Sequence, residues 1–113
     1  MLLTSRAREE VMNLGSRDKG QLLASLDFLR LTGGHPEEIS RGKLRAIVTA
    51  MHDDPDKRLV IVYRRLTPDE LRAQGRTGAK AGYVLLHVGI IDELGAVESA
   101  MELAEARLAD ASA

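Results

Sequence analysis

The stretch Leu59-Val60-Ile61-Val62-Tyr63, continuing through Arg64-Arg65-Leu66, decides the fold. Its first five residues are consecutively apolar, and the three in the middle are β-branched. Such residues favour a pleated strand over a helix, and a run without alternation implies cover on both faces. A central strand is expected here. A second run, Tyr83-Val84-Leu85-Leu86-His87-Val88-Gly89-Ile90-Ile91, has the same character. Alternation assigns Tyr83, Leu85, His87 and Ile91 to one face and Val84, Leu86, Val88 and Ile90 to the other.

Between the two runs stands Thr67-Pro68-Asp69-Glu70, a cap followed by proline in the first turn and a glutamate three residues after the cap. It predicts a short helix over about 68–74, stopped by Gly75. Gly75 to Gly82 then reads as a basic loop carrying Arg76 and Lys80. It is not a nucleotide P-loop, because Ala79 follows Gly78 and no hydroxyl follows Lys80.

Upstream, Leu3, Ala7, Val11 and Leu14 form a helical stripe over 3–14. Leu22, Leu23, Leu26 and Leu29, with Ala24 and Phe28, give a broad apolar face over 17–31, which Gly33-Gly34 ends. Two helices joined by so short a break make an αα-hairpin. Residues 36–52 carry two readings. Pro36-Glu37-Glu38 suits a helix start and Leu44, Ile47, Val48 and Met51 fit a helical stripe, whereas Ile47-Val48-Thr49 favours a strand over 45–51. His52 to Asp56 is a turn, without the loop signature of a calcium site. A final helix over about 94–110 carries Val97, Met101, Ala104 and Leu108 on one stripe. The expectation is a single α+β domain over 1–113: an N-terminal helical hairpin packed on a small antiparallel sheet, with a C-terminal helix.

Composition narrows the function classes. The chain has no cysteine, which removes disulfides and thiolate metal sites, and neither a metal nor a cofactor is expected. Its three aromatic residues, Phe28, Tyr63 and Tyr83, are too few for a base-stacking platform. The longest apolar run falls short of the roughly 20 residues of a membrane helix, and a cytoplasmic location without membrane contact is expected. Net charge is −1, but residues 41–80 hold ten basic and five acidic residues, and 81–113 hold one and six. The middle third can face phosphates, or the acidic last helix can fold back on it.

Arg58, Arg64 and Arg65 flank the central strand, with Arg64 and Arg65 directed to opposite faces. Arg64 and Arg65, with Lys43, Arg45, Arg76 and Lys80, are candidates for binding a nucleic-acid backbone. His87 is the one titratable side chain within the second strand run. It is a candidate general base, although no neighbour in sequence supplies its partner.

The order of two helices, a basic stretch, Arg58-Leu59-Val60-Ile61-Val62-Tyr63, then Tyr83-Val84-Leu85-Leu86-His87-Val88-Gly89 and a terminal helix resembles the RelE/ParE superfamily of bacterial toxin–antitoxin toxins. The resemblance covers roughly residues 3–110. It implies a cytoplasmic toxin-type protein acting on ribosome-bound messenger RNA or another core host target, with an antitoxin or other protein as partner. A RelE-type ribonuclease polarises the scissile phosphate with arginines and lysines on the concave sheet face. Arg58 then matches the family's strand arginine, and Lys43 and Arg45 its basic stretch. The chain departs from the ribonucleases after Gly89, where Ile90, Ile91, Asp92 and Glu93 replace basic residues. Two alternatives stand beside this reading. One is a non-catalytic α+β interaction module. The other is a winged-helix DNA-binding regulator, with 36–52 as its recognition helix.

Overall fold

The computed structural model describes residues 2–32, 38–73, 82–93 and 95–112. The elements are β1 (Leu2–Leu3), α1 (Ser5–Met12), α2 (Ser16–Thr32), β2 (Glu38–Arg41), β3 (Leu44–Ala50), β4 (Arg58–Arg65), α3 (Pro68–Ala73), β5 (Tyr83–Ile91) and α4 (Ala96–Ser112). One five-stranded sheet runs β1-β5-β4-β3-β2. Strands β2 to β5 are antiparallel neighbours, and β1 joins the β5 edge in parallel. The fold is α+β, with helices before and after an antiparallel sheet.

Strand β4 lies in the middle of the sheet because both of its faces are apolar. Leu59, Ile61 and Tyr63 join Leu22 and Leu29 of α2 and Ala7 of α1 in one core cluster. Val60 and Val62 join Ala100, Met101 and Ala104 of α4 in another. The sheet is thus sandwiched between the hairpin and the C-terminal helix. Each fully buried Leu or Ile side chain contributes about 1.5–3 kcal/mol, so the two clusters dominate the stability.

Residues 38–50 correct the helical reading of 36–52. They form a β-hairpin in which Glu38 pairs with Ile47 and Arg41 with Leu44, and the strand reading of 45–51 holds in β3. The turn is Gly42-Lys43, with Gly42 at φ 60°. A glycine in the left-handed region at the first of two central positions matches a type II′ turn, whose twist suits paired strands. The winged-helix alternative loses its recognition helix to this hairpin.

A second correction concerns β5. Val62 pairs with His87 but Tyr63 pairs with Leu85, so Leu86 is an extra residue in the ladder. A bulge of this kind reverses the alternation beyond it. Leu85 and Val88 therefore share the hairpin-side core, while Leu86 and Ile91 lie on the α4 side. His87, opposite Val62, is turned to the α4 side as well. A third concerns Leu3, read as helical, which pairs in β1 with Leu85. The expectations for Gly33, Gly34, Pro36, Glu37 and the segment 74–81 lie outside the described residues, as does the Leu108 side chain.

Helix α2 is apolar on two sides. Leu22 and Leu29 are buried, whereas Leu23 and Leu31 are 61% and 77% exposed and Phe28 is also exposed. Gln21 fixes the helix against β3. Its amide nitrogen donates to Thr49 Oγ1 at 2.9 Å and to the Ala50 carbonyl at 2.8 Å, and its oxygen accepts the His52 N–H at 3.1 Å. A buried amide with its donors and acceptor satisfied locks one register of helix against strand.

Candidate functional site

The β2–β3 turn, the end of β4 and the start of α3 meet at one end of the sheet. They enclose an open groove of about 520 Å³ lined by Gly42, Lys43, Arg45, Arg64, Arg65, Leu66, Thr67 and Glu70. Four of the six residues assigned to nucleic-acid binding converge here. Arg76 and Lys80, the other two, lie outside the described residues. Arg64 and Arg65 do leave β4 on opposite faces, as alternation requires, but the groove lies at the strand's end and takes in both.

The cations differ in what already holds them. Arg64 forms a two-bonded fork with Glu70, Nη1 to Oε1 and Nη2 to Oε2, both at 2.9 Å. Glu70 also accepts the Thr67 N–H at 3.1 Å, and its own N–H donates to Thr67 Oγ1 at 3.2 Å. That is the capping box expected from Thr67-Pro68-Asp69-Glu70. The Arg64 fork, with the Thr67 N–H second, holds the Glu70 carboxyl down at about 2. Arg65 lies 6.0 Å above the Tyr83 ring. Among the described residues, neither Lys43 nor Arg45 has an ion-pair partner. Four cations against one carboxylate leave the lining at +3.

Beside the groove, the Tyr83 ring meets Tyr63 edge-on, with centroids 5.6 Å apart. The Tyr63 hydroxyl donates to Glu38 Oε2 at 2.6 Å, tying the edge strand β2 to the centre of the sheet. Burial first, and Glu38 second, push the Tyr63 phenol well above its ordinary range. It is a structural donor and not a proton carrier near neutrality.

The two candidate catalytic residues are not brought together. Arg58 lies at the opposite end of β4, roughly 20 Å along the strand from Arg64 at about 3.3 Å per residue. Its guanidinium donates to the Pro55 carbonyl at 2.8 Å. His87 sits midway along β5, where Glu10 of α1 and Arg107 of α4 meet it. Its Nδ1 is 2.7 Å from Glu10 Oε2, and Arg107 Nη1 is 2.6 Å from Glu10 Oε1. With the carboxylate accepting, Nδ1 carries the proton and Nε2 is the acceptor. Nε2 faces Gly89, where a Cβ would approach to 3.1 Å.

This trio also finishes the sheet edge. Beyond β1, the outward Leu86 carbonyl accepts from Arg107 Nη1 at 2.9 Å, and the Val88 N–H points at Glu10 Oε1 at 3.4 Å. Side chains thus satisfy backbone groups that a neighbouring strand would otherwise pair. Sequence reading missed Glu10 and Arg107 because they lie 77 and 20 residues from His87.

Burial chiefly, with the Arg107 charge adding to it, lowers the His87 pKa against the raising effect of Glu10. An unfolded histidine titrates near 6.5, so below that value the unfolded chain binds more protons than the folded one. Stability is therefore present in full above about pH 6.5 and falls as the pH drops through that value. Thermal melts between about pH 7.5 and 5.5 should show this loss, and His87→Gln should flatten it.

No described helix is long and apolar enough to cross a membrane. Compared with known proteins, the chain matches no family model, no curated protein and no solved structure.

Proposed function

We propose that the protein is a RelE/ParE-like, toxin-type protein of the bacterial cytoplasm that binds RNA through its phosphate backbone. The observation that carries this reading is the convergence of Lys43, Arg45, Arg64 and Arg65 on one groove. Phosphate contacts of this kind need positive charge and access, not base recognition, and among the described residues no aromatic side chain lines the groove. A helical hairpin packed on an antiparallel sheet with a following helix is also the architecture that the resemblance implies.

Among the described residues no histidine lines the groove, and His87 Nδ1 is engaged by Glu10. The sheet face turned away from the hairpin is covered by Ala100, Met101 and Ala104 of α4. The reading is therefore of backbone binding at the sheet's end, with strand scission as a separate question. A protein partner belongs to the proposal because α2 turns Leu23, Phe28 and Leu31 outward. An apolar stripe on the outer side of a surface helix suits a covering partner such as an antitoxin.

Inducible expression in a bacterial host tests the whole reading, with wild type beside Arg58→Ala and with growth and transcript integrity scored. Growth arrest with bound, intact transcripts is the expected result. Arrest with cleaved transcripts, relieved by Arg58→Ala, would extend the reading to a RelE-type nuclease. Normal growth together with no RNA bound by the purified protein would overturn it.

A further inference from the structure

The Arg64–Glu70 fork places a carboxylate where a phosphate would otherwise sit. A guanidinium meets a carboxylate and a phosphate through the same parallel pair of N–H···O bonds. In the groove this pair is already made, with both bonds at 2.9 Å, and Glu70 is anchored by a further bond from the Thr67 N–H. Arg64 is itself largely enclosed, at 21% side-chain exposure, and its Nε is buried without a partner. An anion that takes Arg64 must first displace a well-formed internal one.

We propose that Glu70 is the specificity-determining residue of the groove, an internal competitor for the phosphate position at Arg64. A lone phosphate exchanges one fork for another of equal geometry and gains little. An RNA strand held at the same time by Lys43 and Arg45 supplies the further attraction that opens the fork. Glu70 thus admits polyanions and turns away single phosphates. The inference rests on the RNA-binding reading.

Glu70→Gln is the informative change, because glutamine still serves the capping box with its side-chain oxygen while losing the charge. Binding of an unstructured RNA of about 20 nucleotides is measured across a salt series, with inorganic phosphate as competitor. Glu70→Gln should bind the RNA roughly 5–10-fold tighter at about 50 mM salt, with the log–log salt slope steeper by about 0.7. With RNA set to equal saturation of each protein, inorganic phosphate should displace it from Glu70→Gln at concentrations at least about 5-fold lower than from wild type. The double variant Arg64→Gln/Glu70→Gln should return to within about 2-fold of wild type, since the gain runs through Arg64.

An unchanged affinity in Glu70→Gln, with wild type binding RNA, would overturn the inference and leave the groove reading standing. A gain that persists in the double variant would overturn it too, by showing that the gain does not run through Arg64. An equal gain from Asp69→Asn, which removes the same charge from the neighbouring position, would overturn it as a diffuse charge effect. Failure of wild type to bind RNA at low salt would remove the groove reading itself.

Discussion

Replacing Lys43 and Arg45 together by glutamate should weaken RNA binding at least about 100-fold at about 50 mM salt. Each cation that meets a phosphate adds about 0.7 to the slope of log affinity against log salt on a single strand. Removing two should flatten the slope by about 1.4, and the two new acids add repulsion. These residues are suited to the test because neither supports the fold. Lys43 is an exposed turn residue with an ordinary negative φ, and Arg45 is half-buried with no ion-pair partner among the described residues. Surface changes of this kind usually stay within about 0.5 kcal/mol, so the melting temperature should hardly move. A matched control reverses Arg17 and Arg30 of α2, which are exposed and pair with Asp53 of the β3–β4 turn and Asp27. It changes the net charge equally. Equal losses from both variants would mean that total charge governs binding and that the groove has no special part.

How far this groove was legible in the sequence depends on the range of each signal. The strands at 58–65 and 83–91 declared themselves through local composition, and the Thr67–Glu70 capping box through a four-residue pattern. Strand β2 did not. Glu38-Ile39-Ser40-Arg41 has a single large apolar residue, and an edge strand partly exposed to water needs no more. Its sequence therefore looks like a helix start after Pro36. The available signal was Gly42-Lys43, a glycine followed by one residue between two segments able to pair. The side of the sheet that His87 occupies was illegible for another reason. Alternation counts residues, and the bulge at Leu86 adds one without any mark in composition. The grouping of Lys43 and Arg45 with Arg64 and Arg65 needed the register Leu44↔Arg64 and Arg45↔Tyr63, which a single sequence does not contain.

Removing the Arg107 head group should have the largest effect on stability. Arg107→Leu keeps much of the volume but leaves Glu10 charged and only 24% exposed, and it leaves the Leu86 carbonyl without its donor. Breaking a largely buried ion pair from one side costs about 3–5 kcal/mol, and partial exposure of Glu10 reduces this to about 2–4. The melting temperature should fall by about 10 °C or more. The pH dependence distinguishes this loss from a packing defect. In the wild type Arg107 helps to keep His87 neutral, while Glu10 acts in the opposite sense. Without Arg107, the carboxylate has only His87 to neutralise it, and the His87 pKa should rise. Any rise of the folded pKa toward the unfolded value near 6.5 narrows the pH window in which the unfolded chain binds more protons than the folded one. Wild type, whose His87 pKa is lowered, should melt lower at about pH 5.5 than at about pH 7.5, and Arg107→Leu should show a weaker dependence, since burial, the main cause of the lowering, remains. A variant that is destabilised but keeps the wild-type pH profile would show that Arg107 acts through packing alone. A weakened profile would identify Glu10, His87 and Arg107 as one electrostatic unit that binds α1 and α4 across the open edge of β5.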